Sequence, residues 1–310
     1  MSLTIRDGVA EVRSLVTGSL VDELSVLSVP YDPNTDSSIT LRYPKRNLGV
    51  GSTICVGLNT CQVMGTDGSG TLISVLPGVD GGPLTVVPEG EFIRIKPQLT
   101  TWAALREISN EIQGLSSRGT GLFAVYEYEV TALDRQSGTY PLPDSLDGRE
   151  VFRLLRFEYR YAGTTTWQQS TDAEYQSFDR VIRVFQDPPG AIEYRFSLAT
   201  TFGQVTGLDQ TFASIGITEA QDNIPTLGAA STMVLGWAAR RQQPLSQGDS
   251  RRAAENPGGS IVQMSQVFRR AQQENINDEV ARLQAKYTYR TPAVSGQTAY
   301  GRYGTYGGWR

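Results

Sequence analysis

The chain has 310 residues, of which 39% are hydrophobic and 19% charged, and its formal net charge is −4. The length favours two domains or one domain with a large insertion, and the acidic balance argues against a protein that grips nucleic acid through a net basic surface. Because the sequence contains no histidine, Ser-His and Cys-His nucleophilic sites are excluded and the commonest transition-metal ligand is missing.

The first predicted element is a short amphipathic helix over residues 4–17. Thr4 is its predicted N-cap, and Asp7 stands three positions later, as in a capping box. Gly18 is the predicted stop. The apolar stripe consists of Val9, Val12 and Val16. A loop rich in Pro, Asp, Asn and Ser follows at residues 31–38.

Between residues 52 and 97 the pattern changes to short strands separated by tight turns. The predicted strands are Thr53–Val56, Cys61–Met64, Thr71–Val75 and Phe92–Ile95. The sequences DGSG (67–70) and GVDGG (78–82) lack the spaced oxygen ligands of a calcium loop, so we interpret them as turns.

A second helix follows this β unit, and Gly114 is its predicted stop. Its apolar face consists of Trp102, Leu105, Ile108 and Ile112.

Residues 119–220 form a separate predicted β module. Its strands are Leu122–Val130, Phe152–Tyr161, Arg180–Phe185 and Ile192–Leu198. Several short alternating strands over about a hundred residues favour an antiparallel sandwich. Acidic residues such as Glu127, Glu129, Glu150 and Glu158 are interpreted as the solvent face of a sheet rather than as acid–base carboxylates.

The chain then becomes helical again. Pro225 stands where a helix would start, and residues 226–243 are apolar with many small residues, which favours a buried helix in close contact with a neighbour. A polar stretch separates it from a longer helix over 260–287. The predicted apolar face of that helix is Ile261, Met264, Phe268, Ala271, Ile276, Val280 and Leu283.

Two cysteines, Cys55 and Cys61, are too few for a disulfide scaffold or a zinc site. We interpret them as small buried apolar residues in a reducing compartment, with a disulfide as the alternative. The N-terminal segment lacks the pattern of a signal peptide, and no run reaches the roughly 20 apolar residues of a membrane span. We therefore expect no membrane association, no cofactor and no metal.

The last fifteen residues place four large aromatic side chains three positions apart, with glycines between most of them. These are Tyr300, Tyr303, Tyr306 and Trp309. Such a segment cannot build a core, because glycine is costly to order, whereas stiff aromatics are good anchors on a partner. We interpret the tail as a docking strap that also includes Arg302 and Arg310; a solvated tail and stacking on single-stranded nucleic acid are the alternatives.

Paired arginines recur in the C-terminal helical part. The pairs are Arg240 and Arg241, Arg251 and Arg252, and Arg269 and Arg270. They could lie on a solvated helix face, form contacts between subunits, or line a channel and touch DNA phosphates.

The order of elements resembles the head-to-tail adaptor proteins of tailed bacteriophages. In the front half, residues 1–115, the resemblance lies in the short helix, the strand unit GSTICVGLNTCQVMGTDGSGTLISVLPGVDGG…EFIRIKP and the helix TTWAALREISNEI. In the closing half, residues 222–290, it lies in LGAASTMVLGWAARR and FRRAQQENINDEVARLQAKY. Residues 119–220 depart from the smallest adaptors and look like an inserted domain.

The resemblance implies a non-enzymatic virion component. In that family identical subunits form a ring, usually of twelve, beneath the portal, DNA passes through the ring, and C-terminal extensions commonly reach into the portal. It further implies downstream tail or neck proteins as partners, and assembly in the cytoplasm of the bacterial host.

We therefore predict an α+β chain with an adaptor core at 1–118 and 222–290, an inserted antiparallel β-sandwich at 119–221, and an extended tail at 291–310. Two other functions stay open. One is a different tail-associated structural protein, such as a hub or nozzle subunit. The other is a module that binds glycans on the host surface through aromatics such as Trp167 and Tyr175.

Overall fold

The computed structural model describes residues 3–17, 22–46, 48–116, 120–131, 139–186, 188–245 and 258–287, without the side chains of 237–245 and 258–261. Within these residues, α-helices combine with antiparallel sheets, which confirms the predicted α+β class. The chain divides into two units. The first comprises Met1–Val125 and Thr200–Leu283, and the second Tyr126–Ala199 and Gln284–Arg310.

The helices, in chain order, are α1 (Ile5–Thr17), α2 (Thr101–Leu115), α3 (Asn223–Leu245) and α4 (Gly258–Lys286). The predicted capping box of α1 is present: the Thr4 N–H donates to Asp7 Oδ2 at 2.9 Å, and the Asp7 N–H donates to Thr4 Oγ1 at 3.2 Å. The Thr4 hydroxyl also donates to Asp7 Oδ2, at 2.7 Å, and this bond, together with the one from the Thr4 N–H, holds the pKa of Asp7 below its usual range. The predicted valine stripe is buried.

Helix α2 differs from its prediction at the end. The helix continues through Gly114, which is exposed, and ends at Leu115. Ser116 caps it, because its N–H donates to the carbonyls of the last turn. A C-terminal glycine terminates a helix only when it adopts a left-handed conformation, and Gly114 is not among the residues with positive φ. Trp102 is half-buried, and the rest of the predicted face is buried.

Six strands of the first unit form one curled sheet. They are β1 (Glu23–Val26), β2 (Ser38–Thr40), β3 (Thr53–Val56), β4 (Asn59–Thr66), β5 (Leu72–Pro77) and β6 (Phe92–Ile95), in the order β1-β6-β3-β4-β5-β2. The two outer strands meet just beyond their ends, where Leu27 bridges Leu41 and the Arg42 N–H donates to the Val26 carbonyl at 2.8 Å. The sheet therefore closes on itself around an apolar interior. That interior includes Tyr31, Ile39, Ile54, Val63, Ile73 and Ile93.

The second unit contains seven strands in two sheets. They are β7 (Ala124–Thr131), β8 (Thr139–Pro141), β9 (Val151–Tyr161), β10 (Gln168–Ser170), β11 (Ala173–Gln176), β12 (Val181–Val184) and β13 (Ala191–Thr200). The sheet orders are β10-β9-β13-β7 and β11-β12-β8. Side chains of both sheets share one buried cluster, in which Phe157 stacks on Phe196 at 5.2 Å and Tyr140 meets Tyr194 edge-on at 5.7 Å.

Five strands have no counterpart in the sequence-based prediction: β1, β2, β8, β10 and β11. Each has only three or four residues, of which at most two are hydrophobic, whereas the four-residue strands β3 and β6 have three. The predicted boundaries of β3 and β6 agree with the structure at both ends.

Polar side chains tie α2, α3 and α4 together in the first unit. Ser231 and Ser265 hydroxyls each donate to the other's carbonyl, at 3.1 and 3.0 Å. The Gln272 amide donates to Glu111 Oε2 at 2.9 Å. A Cβ at Gly228 would lie 2.2 Å from that amide nitrogen, so this glycine permits the close approach that the small residues of α3 predict.

We expect Gly70→Ala to lower the free energy of unfolding by about 1–3 kcal/mol. Gly70 has a φ of +76°, and an added Cβ would lie 2.9 Å from the Lys45 backbone carbon. Urea denaturation measures the effect. Gly68→Ala, in the same turn, is the matched control: nothing lies within 4 Å of its Cβ, so its change should stay within about 0.5 kcal/mol. Equal losses in both variants would contradict this account of the turn.

Candidate interaction surfaces

The predicted strap and most of the paired arginines lie outside what the structure describes. Outside the described residues are Tyr300, Arg302, Tyr303, Tyr306, Trp309, Arg310, Arg251 and Arg252. Arg240 and Arg241 belong to α3, but their side chains are not described. Of the predicted subunit-contact or lumen residues, only Arg269 and Arg270 can be placed in full.

Arg269 forms an ion pair within its own chain. Its Nη1 lies 3.3 Å from the Glu111 carboxylate of α2 and donates to Gln272 Oε1 at 2.7 Å. The side chain is still 57% exposed, so the pair is not sealed from solvent. Arg270, the next residue, is exposed on α4. The adjacent arginines therefore have different surroundings.

An apolar strip, defined here as Met64, Leu72 and Leu76, lies on the outer face of β4 and β5. All three side chains are among the exposed large hydrophobics, and Leu76 is 50% exposed. Met64 occupies the bulge in β4 where the register with β5 shifts. Single exposed apolar residues are ordinary, whereas several on adjacent strands form a candidate interaction surface.

The sequence of β5 already indicates that this strand has exposed apolar residues, although the prediction of strands did not use that pattern. The segment LISVLP of β5 is apolar at every position except Ser74, so the strand is apolar on both faces. Only Ile73 and Val75 face the buried interior. The outward-facing leucines have no such cover among the described residues, which is why they stand out once the register is known.

One face of the second unit carries a ladder of charged side chains. Arg195 lies 4.1 Å and Arg160 lies 4.9 Å from the Trp167 ring centre. Arg195 also pairs with Glu129 at 2.7 Å, and Arg160 pairs with Glu193. Carboxylates in such ion pairs hold a sheet surface together, which agrees with the interpretation of Glu129 as a solvent-face residue.

The most exposed aromatic side chain of the described residues is Phe178, which is 97% exposed. It lies in the loop that joins β11 to β12, where the strands pair up to Gln176 and Val181. Arg180 in the same loop has a φ of +52°, a conformation that non-glycine residues rarely adopt. The loop therefore presents an aromatic ring to solvent at a defined position.

Cys55 and Cys61 are free thiols, and both are buried. Burial raises the pKa of Cys61 to about 11 and also raises that of Cys55. The Cys61 sulfur lies 3.9 Å from the Tyr31 hydroxyl inside the closed sheet. These surroundings confirm the interpretation of both cysteines as small buried residues.

Across the described ranges, no group of three or more acidic or cysteine side chains is arranged to hold a metal ion. None of the helices, as far as the structure describes them, is long and apolar enough to cross a membrane.

Comparison with known proteins finds no match: no family model fits the chain, and no curated protein sequence or solved structure is significantly similar to it. A function must therefore be inferred from the chain's own residues and geometry.

We expect both thiols to react with a disulfide reagent about 100-fold more slowly in the native protein than in denaturant near pH 8, because burial blocks access and the raised pKa lowers the thiolate fraction. Absorbance of the released thiol follows the reaction. Rapid native modification of both cysteines would contradict the buried placement. Absence of reactive thiols in denaturant without reductant would indicate a disulfide instead.

Proposed function

We propose that this chain is a non-enzymatic virion structural protein, a head–tail adaptor that forms a homo-oligomeric ring below the portal of a tailed bacteriophage and joins capsid to tail. One observation carries the proposal. The first unit combines residues up to Val125 with Thr200–Leu283, and the larger part of the second unit, Tyr126–Ala199, occupies the chain between them. Helices from before and after the β-rich second unit therefore belong to the same unit. The adaptor proteins that the sequence resembles have the same order of elements.

The finer architecture follows from the same proposal. The adaptor core corresponds to the four helices and the closed sheet, and the insertion corresponds to an antiparallel β-sandwich. Support for a sandwich comes from the shared cluster in which Tyr140 and Ile182 of one sheet join Phe157 and Phe196 of the other.

Ring formation needs two different complementary surfaces on each subunit, because a closed ring is built from heterologous contacts. The apolar strip on β4 and β5 supplies one such surface. The exposed side of α4, with Val262, Val267 and Arg270, supplies a second. Double-stranded DNA passes through the lumen, and the net charge of −4 suits a conduit that should not bind DNA tightly.

The tail at 291–310 is the proposed attachment to the portal, with Tyr300, Tyr303, Tyr306 and Trp309 as its anchors. Several copies around one axis multiply a weak individual contact, since each further contact becomes intramolecular. The proposed location is the neck of the virion, after assembly in the host cytoplasm.

A glycan-binding module is less well supported by the geometry. A sugar would have to stack on an aromatic ring, yet Trp167 already has two guanidinium groups close to its ring. Tyr175 is half-buried rather than presented to solvent. A hub or nozzle subunit of the tail is distinguished from an adaptor by copy number and by its neighbours in the particle.

We expect a chain lacking residues 292–310 to fold normally and to lose attachment to portal-bearing capsids. Circular dichroism measures folding, and co-sedimentation with capsids measures attachment. The matched control is a full-length chain with serine in place of Tyr300, Tyr303, Tyr306 and Trp309, which keeps the length of the tail and should lose attachment as well. Equal capture of truncated and intact chains would contradict the strap.

We expect Leu72→Ser combined with Leu76→Ser to shift the purified protein from rings toward single subunits, because the change removes apolar area from the strip. Native mass spectrometry reads the copy number. Phe178→Ser removes a still more exposed apolar side chain from the second unit and should leave the distribution unchanged. Unchanged rings in the double variant would exclude the strip as a subunit contact.

A further inference from the structure

A cavity of about 130 Å³ lies in the first unit beside α1, β3 and β6. Its walls contain three arginines, Arg6, Arg13 and Arg94, one carboxylate, Glu91, and apolar side chains such as Val9 and Phe92. Three positive charges around a small cavity repel one another unless negative groups lie nearby. The ion-pair partners of each arginine therefore decide which ligand the cavity can bind.

Two of these arginines are neutralised by carboxylates of the chain itself. Arg6 lies 2.6 Å from Glu91 and 3.0 Å from Asp209, through different nitrogens. Arg94 lies 3.4 Å from Asp22. Neither guanidinium needs a further anion to balance its charge.

Arg13 has no such partner. The residue is only 8% exposed, and its Nη2 donates to two neutral acceptors, Thr101 Oγ1 at 2.7 Å and the Leu99 carbonyl at 3.2 Å. Its Nε is buried without an acceptor among the described atoms, and no carboxylate of the described residues is within ion-pairing distance.

The Arg13 guanidinium nevertheless remains charged near neutral pH. Burial and the neighbouring Arg94 lower its pKa to about 10, which is still well above neutrality. A buried cation that has an unused N–H and makes no ion pair within the described part of the chain is an arrangement that an external anion would complete.

We propose that this cavity binds a monoanionic carboxylate that pairs with Arg13. Arg13 makes no ion pair within the described residues, so it can pair with one external negative charge, and a planar carboxylate matches the flat donor edge of a guanidinium. Val9, Phe92 and Leu208 give the aliphatic part of such a ligand an apolar wall. Inorganic phosphate fits less well, because it carries more charge than Arg13 can balance and would lose hydration against that wall. This site is independent of the adaptor proposal.

The test uses butyrate as the probe and the full-length protein at constant ionic strength. Saturation-transfer NMR should detect butyrate bound to the unaltered chain, and Arg13→Met should abolish that signal while methionine fills the space of the side-chain stem. Arg106→Met is the control, because Arg106 is an exposed arginine that does not line the cavity; its signal should be unchanged. Inorganic phosphate, added in a separate arm, should not displace butyrate.

A second pair of variants keeps the test decisive if Arg13→Met fails to fold. Ala10 is an exposed residue of α1 that lines the cavity, three positions before Arg13. Ala10→Glu supplies a carboxylate from within the chain, so it should abolish butyrate binding and unfold at a higher temperature than Ala10→Gln, which has the same size without the charge.

Three results would overturn the proposal. The first is the absence of any butyrate signal with the unaltered chain. The second is an equal signal in the folded Arg13→Met protein, or an equal loss in Arg106→Met. The third is displacement of butyrate by low concentrations of phosphate, which would assign the cavity to a different anion.

Discussion

The first unit depends on contact between helix α1 and residues more than 200 positions further along the chain. Thr4 pairs with Thr211, and the Ile5 N–H donates to the Gln210 carbonyl at 2.8 Å. Gly8 lies so close to the Phe212 ring that an added Cβ would be 2.9 Å from it. Helix α1 therefore cannot complete its burial until residues beyond 200 are present. Such contacts are costly in loop-closure entropy and slow to form.

The topology of the second unit reduces the entropy cost of closing this long loop. Its first strand, β7, and its last strand, β13, are hydrogen-bonded neighbours in one sheet. The points where the chain enters and leaves the insertion are thus held near each other once that sheet forms. An insertion with this property shortens the effective loop that the first unit must close, so the interruption by Tyr126–Ala199 is compatible with a single packed core.

Closure of the six-stranded sheet also restricts how copies of the chain can associate. Its outer strands meet through Leu27 and Leu41, so the sheet offers no long unpaired edge for another chain to extend. Contacts of the proposed ring that involve this sheet would therefore use side chains rather than strand pairing. The outer face of β4 and β5 is suited to this, because Leu72 and Leu76 point away from the interior that Ile73 and Val75 fill.

The sequence by itself determined the elements whose local pattern is strong: α1 with its Thr4 and Asp7 cap, the boundaries of β3 and β6, the α+β class and the burial of both cysteines. It could not determine the five short strands that contain at most two hydrophobic residues each, because pairing partners rather than local pattern create them. Nor could the sequence show which arginines form ion pairs and which do not. Tertiary structure gave Arg269 a carboxylate on another helix and left Arg13 buried without one, since charge compensation depends on which distant residues the fold brings within a few ångströms.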